Sequence, residues 1–459
     1  MNCGTAPVIR VGVVLPEDGR TILDIETSET PYILVAADDS LVRREVSAAQ
    51  VSFEVGGKGV FARIGSDRVG AGAAWCLEVL PRPCGPKPAA PCGVLLPNAQ
   101  VGRGFHWEKT TDIRMPGDLE VSAVGGRLLL VNRVPVEEYL LGVITSEMAG
   151  ECPIEFLKAQ CVVARSWALA HAERKHDELG IDYCNDDCCQ RFHGVGRVGA
   201  AALRAVAETA GEVLLARDGT VVDANYSKCC GGVTEDPRFV WGRPKPGLSS
   251  HADAPLSSTL AQMAPIDDAN IADYLRGRWL DECDAYCSPG VVPAEQLARF
   301  LGPVDSGEAF FRWRINYRRE QLQAVLRSKL FARPDLPPGD RLECLMDLRV
   351  TARGRSGRAT ELIITYRAAD GAVYTVTVSD QYRIRDCLHE TFLYSSALEI
   401  EVVRDADGAP DEIVLTGAGW GHGVGFCQIG ALGMALGGSD CSEILAHYFR
   451  QATQRRVYA

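Results

Sequence analysis

No run of about 18 apolar residues occurs in the chain, which excludes a membrane-spanning helix. Positive charge is also in short supply. The sequence sets 48 Lys and Arg against 60 Asp and Glu, a formal charge of −12. That balance argues against a general nucleic-acid binder and leaves only local basic patches such as Arg174–Lys175 and Arg318–Arg319. The first residues, MNCGTAPVIRVGVVLPEDG, lack a basic n-region, and Arg10 breaks their apolar run. They read as a β-strand rather than a signal peptide. On that reading the protein is cytoplasmic, or its true start lies upstream of Met1, or export uses another route. The sequence shows no long internal repeat and no low-complexity tract.

What is present is the composition of a soluble globular enzyme, 46% hydrophobic and 24% charged over 459 residues. At roughly 100–200 residues per domain, this is room for two or three domains. Cysteine is abundant, and its count of 17 is odd, so a fully paired disulfide set is excluded. Several cysteines cluster: Cys184, Cys188 and Cys189; Cys229 and Cys230; Cys283 and Cys287. Such clusters suit metal binding in a reducing compartment or disulfides in an oxidising one.

Residues 8–75 look β-rich. VIRVGVVLP, TILDIETSE, PYILVAADD and VSFEV are short alternating or apolar runs punctuated by Gly, Pro and Asp. Pro81–Pro97 reads as a Pro-rich linker, which ends an N-terminal β-rich domain over 1–98; a second domain spans 99–459. In DLEVSAVGGRLLLVN, Gly125–Gly126 supplies a two-residue hairpin turn. Helical spacing starts after Pro135 with Val136, Leu140 and Val143 on one face, breaks at TSEMAGE, and resumes after Pro153 with Leu157, Cys161, Ala164, Ala168 and His171. A helix follows at about 198–210, then a strand pair around Asp218–Gly219. Residues 243–310 read as an insertion with local helices. FFRWRINYRREQLQAVLRS reads as strand then helix, and Arg341–Leu415 as β. GGSDCSEILAHYFRQA is a helix capped by Ser439 or Asp440.

Between the two helices of residues 134–171 lies a lone acid, Glu147. A surface acid near a helix end is the bland reading. Against it, burial between apolar helices favours a carboxyl's neutral form, the state a general acid needs. The small-residue turn Ala149–Gly150 leaves room for a ligand. No partner carboxylate sits at a telling spacing.

The stretch VNRVPVEEYLLGVITSEMAGECPIEFLKAQCVVARSWALAH resembles the signature of the SpoIID/LytB family, the stage II sporulation protein D and amidase-enhancer proteins. Three further blocks agree in order: DYCNDDCCQRFHGV (182–195), YSKCCGGVTED…VWG (226–242) and GAGWGHGVGFCQIGALGMA (417–435), the last followed by EILAHYF. Four ordered blocks are far more specific than one short motif. FHWEKTTDIRMPGDLEV and FFRWRINYRREQL resemble a subgroup with an extra N-terminal domain. The resemblance covers roughly residues 100–459. It implies an α+β fold: a SpoIID-type catalytic domain with a two-helix active-site element and β-rich surround, behind the N-terminal β domain.

The family resemblance implies a peptidoglycan lytic transglycosylase acting on glycan strands between N-acetylmuramic acid and N-acetylglucosamine. One carboxyl protonates the glycosidic oxygen, then takes the proton of the muramic C6 hydroxyl, which attacks C1 and leaves a 1,6-anhydro end. Water is not the nucleophile, so the second carboxylate of an ordinary glycosidase is not needed. The acid of the SEM motif is Glu147. Gln160 and Arg165 match the helix motif and are expected to orient Glu147 or bind sugar. The rival implication is a non-catalytic cell-wall protein that activates an amidase. Either substrate lies in the cell envelope, in conflict with the missing export signal.

Some members of the family bind zinc through a Cys…His-Cys-Gln pattern with a His upstream. Here Cys188 stands where that His would be. The expected ligands are Cys184, Cys189 and His176, with His193 as a downstream candidate and Cys229–Cys230 as a source of a fourth. Thiolates and a neutral imidazole suit Zn²⁺; a disulfide or packed thiols are the bland readings. For Cys283 and Cys287, packing or a disulfide is expected.

In GWGHGVGFCQIGA, glycines let backbone approach a ligand. Trp420 can stack on a pyranose face, His422 can donate to sugar, and Gln428 is a further candidate. The bland reading is a tight turn with His422 as a structural hydrogen-bonder. The string lacks the Lys-Ser/Thr ending of a phosphate loop. Glu235, in CGGVTEDPRFVWG, is the best alternative acid in the chain; the bland reading is an exposed turn residue.

Overall fold

Period-two alternation of apolar residues builds most of the chain. The computed structural model describes residues 6–39, 41–57, 59–80, 93–105, 107–302, 305, 309–330, 342–406 and 408–458. It divides into two compact units. The first is Met1–Val213 with Phe300–Val304 and Arg456–Ala459; the second is Leu214–Arg299 with Asp305–Arg455.

In chain order the first unit carries β1 (Val8–Val14), β2 (Ile22–Glu26), β3 (Tyr32–Ala36), β4 (Arg43–Val46), β5 (Gln50–Gly56), β6 (Gly59–Ile64), β7 (Asp67–Gly72), β8 (Ala74–Val79), β9 (Val94–Val101), β10 (Lys109–Met115), β11 (Asp118–Val124) and β12 (Arg127–Pro135). The helices α1 (Val136–Glu147) and α2 (Ile154–Ala170), the short strand β13 (Tyr183–Cys184) and α3 (Ala200–Glu208) follow. One sheet has the order β13-β1-β12-β11-β8-β3-β4 and a second the order β10-β9-β2-β5-β6-β7. The expected runs become β1, β2, β3 and β5. β4 and β7, which the pattern did not expose, lie at the sheet edges. Their sequences, RREV and DRVGAG, carry the charge and glycine that edge strands use against further pairing.

The expected boundary at residue 98 falls inside β9, and strands from either side of it pair: β11 with β8, and β12 with β1. Of the Pro-rich linker, residues 81–92 lie outside the described residues, and Val94–Pro97 belong to β9. The Gly125–Gly126 turn forms as expected. Both residues have positive φ, 57° and 75°, and Val124 pairs with Arg127.

β14 (Glu212–Leu215) spans the division at Val213, and the second unit then holds β15 (Tyr226–Ser227), α4 (Arg238–Trp241), α5 (Thr259–Met263), α6 (Ile271–Arg276), α7 (Ala294–Leu297), β16 (Arg312–Arg318) and α8 (Arg319–Lys329). After these come β17 (Cys344–Arg353), β18 (Ala359–Arg367), β19 (Val373–Ser379), α9 (Gln381–Cys387), β20 (Leu398–Arg404), β21 (Pro410–Ala418), β22 (Phe426–Cys427), α10 (Gln428–Leu436), α11 (Cys441–Tyr448) and β23 (Thr453–Arg456). β16-β21-β20 and β17-β18-β19 are antiparallel three-stranded sheets. Leu322 and Leu326 of α8, Ile384 of α9, Leu362 and Ile364 of β18 and Leu415 of β21 share one core. Residues 243–299 carry the short helices α5, α6 and α7.

Helix α9 interrupts the stretch expected to be β throughout. Asp380 starts it by accepting from the Arg383 N–H at 2.8 Å, satisfying one of the free donors of a first turn. Asp440 does the same for α11 at the Glu443 N–H, 2.8 Å, and the Glu443 carboxylate returns to the Asp440 N–H at 3.0 Å. The architecture is α+β. Among the described residues no helix is long and apolar enough to cross a membrane.

Candidate functional site

Helix α1 is buried on most of its faces, and Glu147 is its last residue. The hydroxyls of Thr145 and Ser146 turn back on the helix, donating to Leu141 O at 2.7 Å and Gly142 O at 2.6 Å. Met148 is extended, with φ −138°, and the Ala149 N–H donates to Phe300 O at 2.9 Å. The helix therefore runs three residues beyond the expected break, and Glu147 sits on its end rather than in the turn. It is 7% exposed, and its Oε1 accepts the Arg191 N–H at 3.2 Å.

The segment 183–195 packs along α1. The Tyr139 hydroxyl donates to Gln190 Oε1 at 3.0 Å, and the His193 N–H donates to Ser146 Oγ at 3.0 Å. The Arg191 guanidinium is tied to Asp187 and lies 4.9 Å over the Trp107 ring, whose Nε1 donates to Asp187 Oδ2 at 2.9 Å. The other end of the segment is anchored by Asp186, which pairs with Arg103, itself paired with Asp18. Burial pushes the Tyr139 hydroxyl well above its ordinary range. Burial, with Arg191, Arg197 and Lys109 nearby, holds the His193 imidazole down at about 3.

The same segment carries the first thiol group. Cys184, Cys188 and Cys189 gather with His176, their ligand atoms all within 4.8 Å of one another. Cys188 is central: its Sγ is 2.8 Å from Cys184 Sγ, 4.0 Å from Cys189 Sγ and 3.7 Å from His176 Nε2. Cys188, which departs from the family's ligand pattern in sequence, lies in the group in the structure. Hydrogen bonds from Cys184 and Cys189, with His176 beside it, pull the Cys188 thiol well below its ordinary range, and the same contacts push Cys184 up. The contact with Cys188 raises the His176 imidazole. His193 is not among these residues. All four side chains suit a closed Cys₃His set, the donor chemistry of a structural zinc centre.

Gln160 and Arg165 lie on α2 and are fully buried. Arg165 faces Glu137 of α1, with Nε to Oε1 at 3.1 Å and Nη2 to Oε2 at 2.5 Å; its Nη1 donates to Glu212 O at 3.0 Å. Glu137 also accepts from the Gly211 N–H and the Tyr458 hydroxyl. The guanidinium is thus used within the unit, joining the start of α1 to α2.

In the second unit the Gly-rich block makes its close approaches to the protein's own groups. A Cβ at Gly423, where φ is +74°, would lie 2.3 Å from the Arg358 guanidinium carbon. Trp420 stacks on Tyr394, centroids 4.4 Å apart, and exchanges backbone hydrogen bonds with Cys229. The His422 Nδ1 accepts the Val424 N–H at 2.9 Å. Gln428 is buried in the first turn of α10. Glu235 is not exposed, contrary to the bland reading: it is wholly buried and accepts from the Asp236 N–H, the Arg355 N–H and the Ser356 hydroxyl, each at 2.8 Å. Burial pushes its carboxyl up, opposed by Arg358. With its oxygens so engaged it is a structural carboxylate.

Cys229 and Cys230 do not complete the first thiol group. They associate with Cys287 and Cys427, which the sequence spacing had not linked. No disulfide forms among the described cysteines.

Residues 124–215 match the family model SpoIID, described as stage II sporulation protein, and residues 259–425 match a domain of unknown function, DUF8618. The first match contains α1, α2, Glu147 and the first thiol group. An uncharacterized protein of Brachyspira hyodysenteriae is 25% identical over 335 residues, 72% of this chain and 70% of its own length. The amidase enhancer of Bacillus subtilis is 24% identical over 325 residues, 68% of this chain and 40% of its own length. The SEM helix pair lies inside the matched region, so residues 124–215 carry a SpoIID domain, and the chain is similar to an amidase enhancer over about two thirds of its length; both findings support a SpoIID/LytB relationship.

Proposed function

We propose that the protein is a lytic transglycosylase of peptidoglycan glycan strands, with Glu147 as acid and then base. The observation that supports this reading is the single carboxylate at the end of α1, buried and held at one oxygen by the Arg191 N–H. Its proton passes to the glycosidic oxygen as the C1–O bond breaks. The muramic C6 hydroxyl then closes on C1 and returns its proton to Glu147. The atoms balance without water, and one carboxylate serves both steps. A substrate of this kind places the protein in the cell envelope.

His176, Cys184, Cys188 and Cys189 would hold a zinc ion. Four protein donors leave no open position, so the metal would supply no Lewis acid and would serve to fix segment 183–195. That segment provides the Arg191 N–H that orients Glu147. Gln160, Trp420, His422 and Gln428 remain proposed sugar contacts.

A second reading is favoured by the name of the Bacillus subtilis relative, amidase enhancer. On it, the chain binds glycan without cutting and stimulates a partner amidase. Purified glycan strands separate the two. Release of 1,6-anhydromuramic ends by the wild type, lost in Glu147→Gln, is the expected result. Intact strands alongside stimulation of an added amidase would select the second reading.

A further inference from the structure

The second unit contains a buried set of donors that the proposed reaction does not use. Cys230 Sγ lies 3.7 Å from Cys287 Sγ and 3.1 Å from Asp253 Oδ2. Cys427 joins them, and the four ligand atoms lie within 4.8 Å of one another. All four residues are almost wholly buried.

We propose that Cys230, Asp253, Cys287 and Cys427 form a second, tetrahedral site for a divalent metal of the zinc class. Three observations carry this.

The first is spacing. Zinc–sulfur bonds of about 2.3 Å set tetrahedral sulfurs about 3.8 Å apart, close to the 3.7 Å between Cys230 and Cys287. A disulfide needs about 2.05 Å.

The second is the treatment of the sulfurs. Cys427 Sγ accepts the Cys230 N–H at 3.1 Å and the Gly430 N–H at 3.3 Å, and Cys230 Sγ accepts the Gly232 N–H at 3.3 Å. Backbone donors aimed at sulfur favour thiolates, the form that binds metal.

The third is the carboxylate. Asp253 pairs with no Lys or Arg among the described residues; the one cation it can meet is His447 in its protonated form, on Oδ1, and a buried charge needs a cation or a metal. Its Oδ1 is held by the Tyr448 hydroxyl at 2.8 Å and faces His447 Nε2 at 3.1 Å. This leaves Oδ2 turned to the thiols, the outer-shell arrangement of metal-bound carboxylates. Gly430 permits it: a Cβ there would lie 2.2 Å from Asp253 Oδ2.

The ligands come from segments far apart in sequence. Cys230 follows β15, Cys427 ends β22, and these strands pair in parallel, Ser227 opposite Cys427. A metal here clamps the pair and holds the Gly-rich block next to Cys427. Cys229 also meets Cys287 and Cys427, and is assigned no ligand role.

The test uses the full chain carrying His176→Ala and Cys188→Ser, which disable the first group, purified under reducing conditions with zinc. Elemental analysis is expected to find about one equivalent of zinc per chain. Cobalt in its place should give the thiolate charge-transfer bands of a tetrahedral site. Adding Asp253→Ala or Cys427→Ser should remove the metal, while Cys229→Ser should retain it. No metal, with the thiols alkylated as free or linked as a disulfide, would overturn the site. So would iron with labile sulfide, or loss of metal in Cys229→Ser but not in Asp253→Ala. The metal count of the parent variant decides the question even if Cys427→Ser fails to fold.

Discussion

Arg165 of α2 grips Glu137 of α1 through two parallel hydrogen bonds, one from Nε and one from Nη2, while Nη1 holds the carbonyl of Glu212. Arg165, expected to orient Glu147 or to bind sugar, is held as a clamp inside the pair of helices α1 and α2. Breaking a fully buried pair costs about 3–5 kcal/mol; Glu137 is 21% exposed and keeps the Gly211 and Tyr458 donors, which sets the low end of that range here. Arg165→Ala should lose stability by that order in urea unfolding. Arg165→Lys should recover little, because an ammonium cannot reproduce the fork. A loss in Arg165→Ala no larger than that of an exposed arginine would count against the clamp.

Glu147→Gln keeps shape and burial but has no proton to give. Anhydro-end formation should fall by roughly 10²–10⁴-fold. The unfolding midpoint should move little, so the loss reads as chemistry and not folding. A midpoint that collapses with the activity would instead make Glu147 a structural residue.

The His193 imidazole gives an acid-sensitive term. Its folded value near 3 lies below the ordinary 6.5, so the unfolded chain binds the proton first. The stabilisation is whole above about pH 6.5 and is lost as pH falls toward 3, at up to about 1.4 kcal/mol per unit. Unfolding at pH 7 and pH 5 should show a steeper loss for wild type than for His193→Asn. The difference between the two proteins isolates this residue from His251, which burial also holds at about 3. Parallel losses would remove His193 from the account.

Cys188→Ser should release about one equivalent of zinc from the group around His176. Because segment 183–195 also holds Glu147, activity should fall with the metal. Unchanged metal content would return Cys188 to the role of a bystander.

Gly423→Ala asks an L side chain to adopt a φ of +74° and to enter the space of the Arg358 guanidinium. Strain of about 1–3 kcal/mol is expected, read as a lower unfolding midpoint. A neutral outcome would show that Arg358 can yield.

Much of this was legible from sequence because it rests on local rules. Two consecutive glycines between alternating strands make a tight turn, Pro153 starts a helix, and Asp440, one of the two expected candidates with Ser439, caps one, since each needs only its neighbours in the chain. The four ordered blocks that carry the family likeness are local as well. Edge strands β4 and β7 escaped because charge and glycine, which protect an edge, also erase the alternation that betrays a strand.

By itself, then, the amino-acid sequence determined most local elements, the likeness to the SpoIID/LytB family and the choice of Glu147 as the candidate acid. Only tertiary structure decided the company each side chain keeps. Spacing along the chain could not show that Arg165 meets Glu137, that Cys188 sits between Cys184 and His176, or that Glu235 is enclosed by Arg355 and Ser356. Nor could it show that Cys287 joins Cys230 and Cys427. A buried polar group must find its partner where the fold closes, and that partner lies 4 residues along the chain at Cys184–Cys188 and 121 at Glu235–Ser356.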